Sequence, residues 1–378
     1  MIDSFYTRWK IESEESGDWI IIDSDVMMKP GLKFAIAGGI IIAVIIISLT
    51  THYDIRSVNS ENTSSDVLRI GYFANINHIQ AVIGIGNGDF QNGLGDVKVQ
   101  SQVFDAGPSA IEALIANRID VAYVGPNPAI NGYLKSDGQA LRIISGASSG
   151  GVVFVIRNDS GITNVHDFAD KKFASPQLGN TQDVALRSYI LKNGYKTTEN
   201  GGNVTIIPAK TADIVTMMSK KDIDGAWVPE PWGTILAKQA NGKIFLDERD
   251  LWPNGEFTTA LIVARTDYLN SHPDVIQKFL EAHVKETIWI NNNKDESIKI
   301  FNDQIQKLTG KTIPNDVISE ALSRMEVTYN PVKSSIDKSA NDAYSLGFLG
   351  DEKPDLSNIF DLTILNKVLQ EQNLTTIP

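Results

Sequence analysis

The sequence predicts an α/β chain folded as two facing lobes, each a parallel sheet covered by helices, preceded by one transmembrane helix. Three observations predict it. From Leu68 onward strand-like runs alternate with helix-like runs, the rhythm of parallel sheets with helical crossovers. Two stretches at an offset of 104 read alike, RIDVAYVGPNPA (Arg118 to Ala129) and DIDGAWVPEPWG (Asp222 to Gly233). A length of 378 residues also exceeds what one hydrophobic core usually supports.

Residues 1–29 are acidic and short; they carry no fold assignment and read as a cytoplasmic tail. Residues 30–53 contain FAIAGGIIIAVIIISLTTHY, Phe34 to Tyr53, which has no charge and is long enough to cross a hydrocarbon core of roughly 30 Å. About thirty residues precede it and no A-x-A-like site follows, so it reads as an anchor and not as a cleaved signal. Lys29 and Lys33 before it, against Arg56 after it, place the N-terminus in the cytoplasm. A single-pass protein of the cell membrane is therefore expected, with everything after Tyr53 extracellular. Sequons at Asn62, Asn158, Asn203 and Asn373 are compatible with that. Residues 54–66 (DIRSVNSENTSSD in 54–66) lack apolar periodicity and read as a flexible tether.

The first lobe is expected over 67–155, the second over 156–257, and the return to the first, with C-terminal helices, over 258–378. LRIGYF is a strand, followed by a helix from about Ile76. VKVQSQVF is the next, and a helix opens at Pro108, where proline suits a first turn. IDVAYVG follows, then a helix from Pro126. GGVVFVIRNDSGI (Gly150 to Ile162) reads as the strand leading into the second lobe, and FTTALIVARTDYL (Phe257 to Leu269) as the strand returning. The helix from Pro273 puts Val275, Ile276, Phe279, Leu280 and Val284 on its inner face. In the echo, Ile119, Asp120, Ala122, Tyr123 and Val124 fall on Ile223, Asp224, Ala226, Trp227 and Val228. Either a repeat or shared α/β geometry would produce it. Ligands of open α/β sheets bind beyond the carboxyl ends of the strands, so two facing lobes would gather Asn75, Tyr123, Thr181 and Trp227 around one crevice.

Much chemistry is excluded. A net charge of −12 argues against a nucleic-acid partner. With no cysteine there is no disulfide, thiol nucleophile or Cys-ligated metal. LTGKT ends like a phosphate loop but has Ile305 where glycine is required, and GIGNGD lies late in a helix instead of after a strand. His52, His78, His166, His272 and His283 form no metal spacing, and no G-x-S-x-G elbow occurs. No catalytic residue, metal or cofactor is expected.

The runs HIQAVIGIGNGDFQNGLGDVKV, SPQLGNTQDVALRSYI, WVPEPW, LDERDLWP and FLEAHV, in this order, resemble the solute-binding proteins of ABC importers for aliphatic sulfonates, taurine, nitrate and bicarbonate. The resemblance spans about Leu68 to Ile377. It implies a bilobed type II periplasmic-binding-protein fold with mixed-sheet lobes and a hinge, which closes on its ligand and delivers it to a permease with ATPase subunits. The chain departs from most such proteins in its anchor. An organic sulfonate such as an alkanesulfonate or taurine is the expected ligand. Nitrate or bicarbonate is the alternative within the fold, and a pyrimidine-precursor enzyme of the thiamine pathway, with His78 as the histidine nearest the cleft, is the alternative outside transport.

The ligand's anionic head is expected at the helix N-termini after Asn75 and after Gly179, where free N–H groups and the dipole favour negative charge. Asn75, Asn77, Asn180 and Thr181 could add donors; Asn77 and Asn180 could equally cap their own helices. Gln177 could donate an amide hydrogen or only fix its loop. The resemblance implies Asn127 and Ser148 as further contacts. Trp227, on a turn that Pro229 and Pro231 keep out of the sheet, is expected to cover the ligand's alkyl part, with core packing as the bland alternative. Glu230 is read as a ligand-facing or latch carboxylate that could instead serve a structural ion pair.

Overall fold

The computed structural model describes residues 10–12, 19–21 and 66–378, in two units, 1–64 and 65–378. In the first, β1 (Lys10–Glu12) pairs antiparallel with β2 (Trp19–Ile21), in a stretch expected to have no fold. The expected transmembrane segment Phe34–Tyr53 and most of the tether lie outside the described residues. Among the described residues no helix is long and apolar enough to cross a membrane.

The second unit is built on two mixed sheets. The first runs β13-β6-β12-β5-β3-β4 and the second β11-β7-β10-β8-β9. In chain order the first sheet begins with β3 (Val67–Tyr72), β4 (Lys98–Val103), β5 (Val121–Val124) and β6 (Leu141–Gly150). Next come the strands of the second sheet: β7 (Val152–Arg157), β8 (Lys172–Ser175), β9 (Thr205–Pro208), β10 (Gly225–Pro229) and β11 (Gly242–Asp247). The chain then returns to the first with β12 (Thr258–Arg265) and β13 (Met325–Val327). The helices are α1 (Ile79–Gly86), α2 (Asp89–Leu94), α3 (Gly107–Ile115), α4 (Pro126–Lys135), α5 (Thr181–Lys192), α6 (Thr211–Ser219) and α7 (Trp232–Gln239). After them come α8 (Thr266–Ser271), α9 (Pro273–Asn292), α10 (Lys294–Thr309), α11 (Asn315–Ser323), α12 (Lys333–Ser345) and α13 (Thr363–Glu371).

The two sheets share a plan. β5 lies between parallel β3 and antiparallel β12, and β10 lies between parallel β8 and antiparallel β7. The echoed aspartates lock both. Asp120 Oδ2 accepts the Arg69 N–H at 2.9 Å, and Asp224 Oδ2 accepts the Lys172 N–H at 2.9 Å. An arginine from the antiparallel neighbour closes each, Arg265 on Asp120 at 3.0 Å and Arg157 on Asp224 at 3.1 Å. A carboxylate at this place satisfies a strand N–H and binds a guanidinium with the same group, which fixes strand register in each lobe.

Central strands β5, β7 and β10 are buried along their length, as strands covered on both faces must be. On α9, Val275, Ile276, Phe279, Leu280 and Val284 are all buried against the first sheet. Changeover between sheets falls at Gly150–Gly151, at the start of the expected strand Gly150–Ile162, and residue 155 lies within β7. Both glycines have φ near +70° (72° and 71°), where a side chain would be strained, and a Cβ on Gly151 would sit 2.8 Å from Asn77 Nδ2. The return crossing lies beside it: the Gly150 N–H donates to the Phe257 carbonyl at 3.0 Å.

Candidate ligand-binding site

Loops at the carboxyl ends of β3, β5, β8 and β10 face one another across the lobes and enclose two adjoining cavities. The smaller, about 40 Å³, is lined by Asn75, Asn77 and His78 after β3, Gly125 after β5, and Asn180, Thr181 and Gln182 after β8. The larger, about 300 Å³, is lined by Asn127, one face of α5, Trp227, Glu248, Trp252, Phe257 and α12. Thr181 belongs to both. Its Oγ1, like the Oδ1 atoms of Asn75 and Asn77, is buried and has no hydrogen-bond partner. Of the three, the Thr181 hydroxyl can donate, whereas the two amide oxygens accept, and Asn77 Nδ2 donates to the Gly150 and Gly151 carbonyls at 3.5 Å.

Backbone geometry supplies the donors. α5 starts after Asn180, whose side chain makes no cap bond, so the N–H groups of its first turn remain free. Asn180 instead donates to Gln182 Oε1 at 3.4 Å, and the capping role considered for it is absent. Gly125 is what allows the lobes to meet here, because a Cβ would stand 2.3 Å from Thr181 Oγ1. Cross-lobe ion pairs hold this approach: Lys210 to Asp105 at 2.6 Å, Lys192 to Asp342 at 2.6 Å and Lys238 to Asp316 at 2.6 Å. Asp105 is the carboxylate on the small cavity, and Lys210 neutralises it from the opposite lobe. His78 accepts the Phe73 N–H on Nδ1 at 3.2 Å, and burial pushes its pKa down to about 3. It is therefore a neutral ring with its proton on Nε2, unsuited to acid–base work near neutrality.

The larger cavity has an aromatic floor. Trp227 is fully buried, stacks on Phe154 at 5.2 Å and meets Tyr189 at 5.3 Å. It sits within β10 opposite Phe154 of β7, so the proline-rich segment does not stand clear of the sheet as expected. Trp227 is core and cavity floor at once; it is no lid. Its Nε1–H donates to Glu248 Oε2 at 2.6 Å, and Trp252 Nε1–H donates to Glu248 Oε1 at 3.2 Å. Burial pushes the Glu248 carboxyl up to about 7, against the pull of the two indole N–H groups and of Lys338. Lys338 Nζ lies 4.0 Å from the Trp252 ring.

Asn75, Asn77, His78, Asn180 and Thr181 thus gather on the small cavity, and Asn127, Thr181 and Trp227 on the large one. Asn127 Nδ2 also donates to the Ser339 carbonyl at 3.2 Å. The remaining four expectations are corrected. Tyr123 points to the other side of β5, where its hydroxyl bonds His283 Nδ1 at 2.9 Å under α9. Ser148 is buried in β6 and lines neither cavity. Gln177 is exposed and outside both. Glu230 is fully buried and structural: it accepts the Thr234 N–H at 2.9 Å at the start of α7, and Arg324 Nη1 at 3.0 Å from the first lobe. Glu248, Trp252 and Tyr189 were missed. LDERDLWP carried two of them, with Glu248 and Trp252 four residues apart.

A model of the NMT1-like family matches residues 61–302, more than half of the chain. The chain belongs to the NMT1-like family. It is similar, at 23% identity over 341 residues (89% of this chain and 98% of the other), to a Bacillus subtilis protein described as "Putative aliphatic sulfonates-binding protein". The alkanesulfonate-binding protein SsuA from Xanthomonas axonopodis pv. citri bound to MOPS shares the fold, with a TM-score of 0.65 at 17% identity over 76% of this chain and 96% of that one. So does the periplasmic nitrate-binding protein NrtA from Synechocystis PCC 6803, with a TM-score of 0.65 at 17% identity over 82% of this chain and 89% of that one. These relatives are described as binding proteins, and this chain shares their bilobed α/β fold.

Proposed function

We propose that the chain is the solute-binding protein of an ABC importer, held to the cell membrane by Phe34–Tyr53 with its lobes outside, and that it captures a small organic anion with a sulfonate head. What carries the reading is the pairing of two cavities between the lobes. One is small, polar and bordered by the free N–H groups of α5 and the unpaired Thr181 hydroxyl; the other is larger and carries the aromatic side chains Tyr189, Trp227, Trp252 and Phe257 among polar neighbours. A helix N-terminus stabilises an anion by roughly 0.3–1 kcal/mol, and more when partly buried. Asn75, Asn77, Asn180 and Thr181 would surround the head, with His78 as a neutral Nε2–H donor. Asn127 and Trp227 would meet the rest of the molecule. Closure of the lobes about Gly150–Gly151 would present the loaded protein to a permease.

The large cavity speaks for an organic ligand over nitrate or bicarbonate, which would leave it unused. Neutral His78, with no acid or base aimed at it among the described residues, gives a thiamine-pathway enzyme no support.

Thermal unfolding of the full chain with taurine, alkanesulfonates, nitrate, bicarbonate and phosphonates tests the reading. A ligand at ~100 times its Kd adds about 2.7 kcal/mol of stability. Stabilisation by none of these anions overturns it. The anchor is tested separately: the chain must sediment with membranes through a carbonate wash, and protease added to intact cells must degrade the lobes.

A further inference from the structure

The larger cavity is oversized for the tails of taurine or a short alkanesulfonate. A cavity of about 150 Å³ lined by apolar side chains accepts benzene. This one, about 300 Å³, has room for roughly twice that. Its walls are those of a ring-binding slot. Thr181, Val184, Ala185, Ser188 and Tyr189 line it at the three- and four-residue spacing of one face of α5. Phe257 and Trp252 stack at 5.2 Å and 11° on another wall, with Trp227 beneath.

The aromatic walls are held rigid. Glu248 accepts both indole N–H groups, one on each carboxyl oxygen, so neither Trp227 nor Trp252 can turn without breaking a buried bond. Rigid aromatic walls favour planar ligands, which fill such a slot without ordering a flexible chain. Buried Asn127, Ser188, Thr258 and Ser339 add polar atoms to the lining, and Asp342 joins Lys192 of the second lobe to Lys338 of its own helix beside them.

We infer that the solute is an arylsulfonate, its sulfonate in the small cavity and its ring or fused rings in the slot between α5 and the Trp252–Phe257 stack. Glu248 acts as a positioning residue for the slot. This rests on the sulfonate reading above, and narrows the ligand from small organic anions to aromatic ones.

The experiment is isothermal titration of the full chain with ethanesulfonate, taurine, benzenesulfonate and naphthalene-2-sulfonate, repeated on Ala185→Phe, which fills the slot, and on Tyr189→Ala, which opens it. Benzenesulfonate and naphthalene-2-sulfonate are expected to bind at least tenfold tighter than ethanesulfonate and taurine. In both variants that ratio is expected to drop below about threefold, a loss a mere folding defect would not produce, since it would weaken all four ligands alike. Equal or reversed preference in a protein that still binds ethanesulfonate or taurine overturns the aryl assignment and leaves the sulfonate reading standing. A tenfold preference that persists in both variants overturns the placement of the ring. Failure of all four to bind overturns the sulfonate reading and this inference with it.

Discussion

Replacing Glu248 with glutamine should flatten the pH dependence of stability above pH 5. Burial lifts this carboxyl to about 7 from an ordinary value near 4.5. A shift of about 2.5 units corresponds to about 3 kcal/mol in full. Because the folded-state value is raised, its contribution is complete below pH 4.5 and is lost as pH climbs through 7; roughly 2.5 kcal/mol disappears between pH 5 and pH 8. Glutamine cannot ionise, yet it can accept only one of the two indole N–H groups. The variant should therefore be less stable than the parent at pH 5 by about 1–3 kcal/mol, the cost of an orphaned buried donor. By pH 8 most of that deficit should be gone or reversed. Glu286, also pushed up to about 7 by burial, and the two histidines held down by burial at about 3 (His78) and about 4 (His283) act in parent and variant alike, so they cancel in the difference. Urea unfolding at pH 5, 6, 7 and 8 measures it. Parallel curves for parent and variant would show that Glu248 is already ionised in the folded protein and that the buried-acid argument is wrong.

Trp227→Ala should cost about 3–5 kcal/mol by urea titration, because it empties the centre of the second lobe and leaves Glu248 short of a donor; a loss under about 1 kcal/mol would mean the indole is a dispensable wall. Gly151→Val should destabilise by more than about 2 kcal/mol, since a β-branched residue is strained at φ 71° and its Cβ would press on Asn77 and Met325; an unchanged melting temperature would deny the close packing at the crossing. Glu230→Ala removes the cross-lobe partner of Arg324, which keeps Glu320 and Thr234, and orphans the Thr234 N–H, so it should cost about 1–3 kcal/mol with little change in sulfonate selectivity; altered selectivity at normal stability would return Glu230 to the ligand. Lys192→Ala removes a cross-lobe contact to Asp342 and should raise the radius of gyration of the ligand-free protein in small-angle scattering, with a smaller effect in 1 M salt; no change at low salt would remove this pair from closure.

The plan of the fold was readable because it is written in periodicity and in repeated polar positions. Asp120 and Asp224 stand at equal places in the echo because each satisfies a strand N–H and an arginine, demands that any such strand edge repeats. The helix from Pro273 was readable because its apolar stripe is continuous, and it enters one core shared by the first sheet and the helices α1, α2 and α13. Tyr123 misled because the echo preserves strand position but not what covers each face. In the first lobe α9 and His283 occupy the side that Tyr123 faces, whereas Trp227 faces α5 and Glu248. Glu230 misled because a carboxylate next to tryptophans suggests a ligand contact, while its partners are Thr234, four residues on, and Arg324, far away in sequence. Contacts at longer range, such as Lys338 over Trp252 and Trp227 on Glu248, leave no periodic trace.

The crossing at Gly150 and Phe257 places the entrance and exit of the whole second lobe within one hydrogen bond of each other. Everything from Val152 to Glu256 is thus a cassette inserted at a single point, and its own two ends already touch. Such a module can be lifted out or exchanged for that of a relative without designing a linker, and half of the binding surface would travel with it.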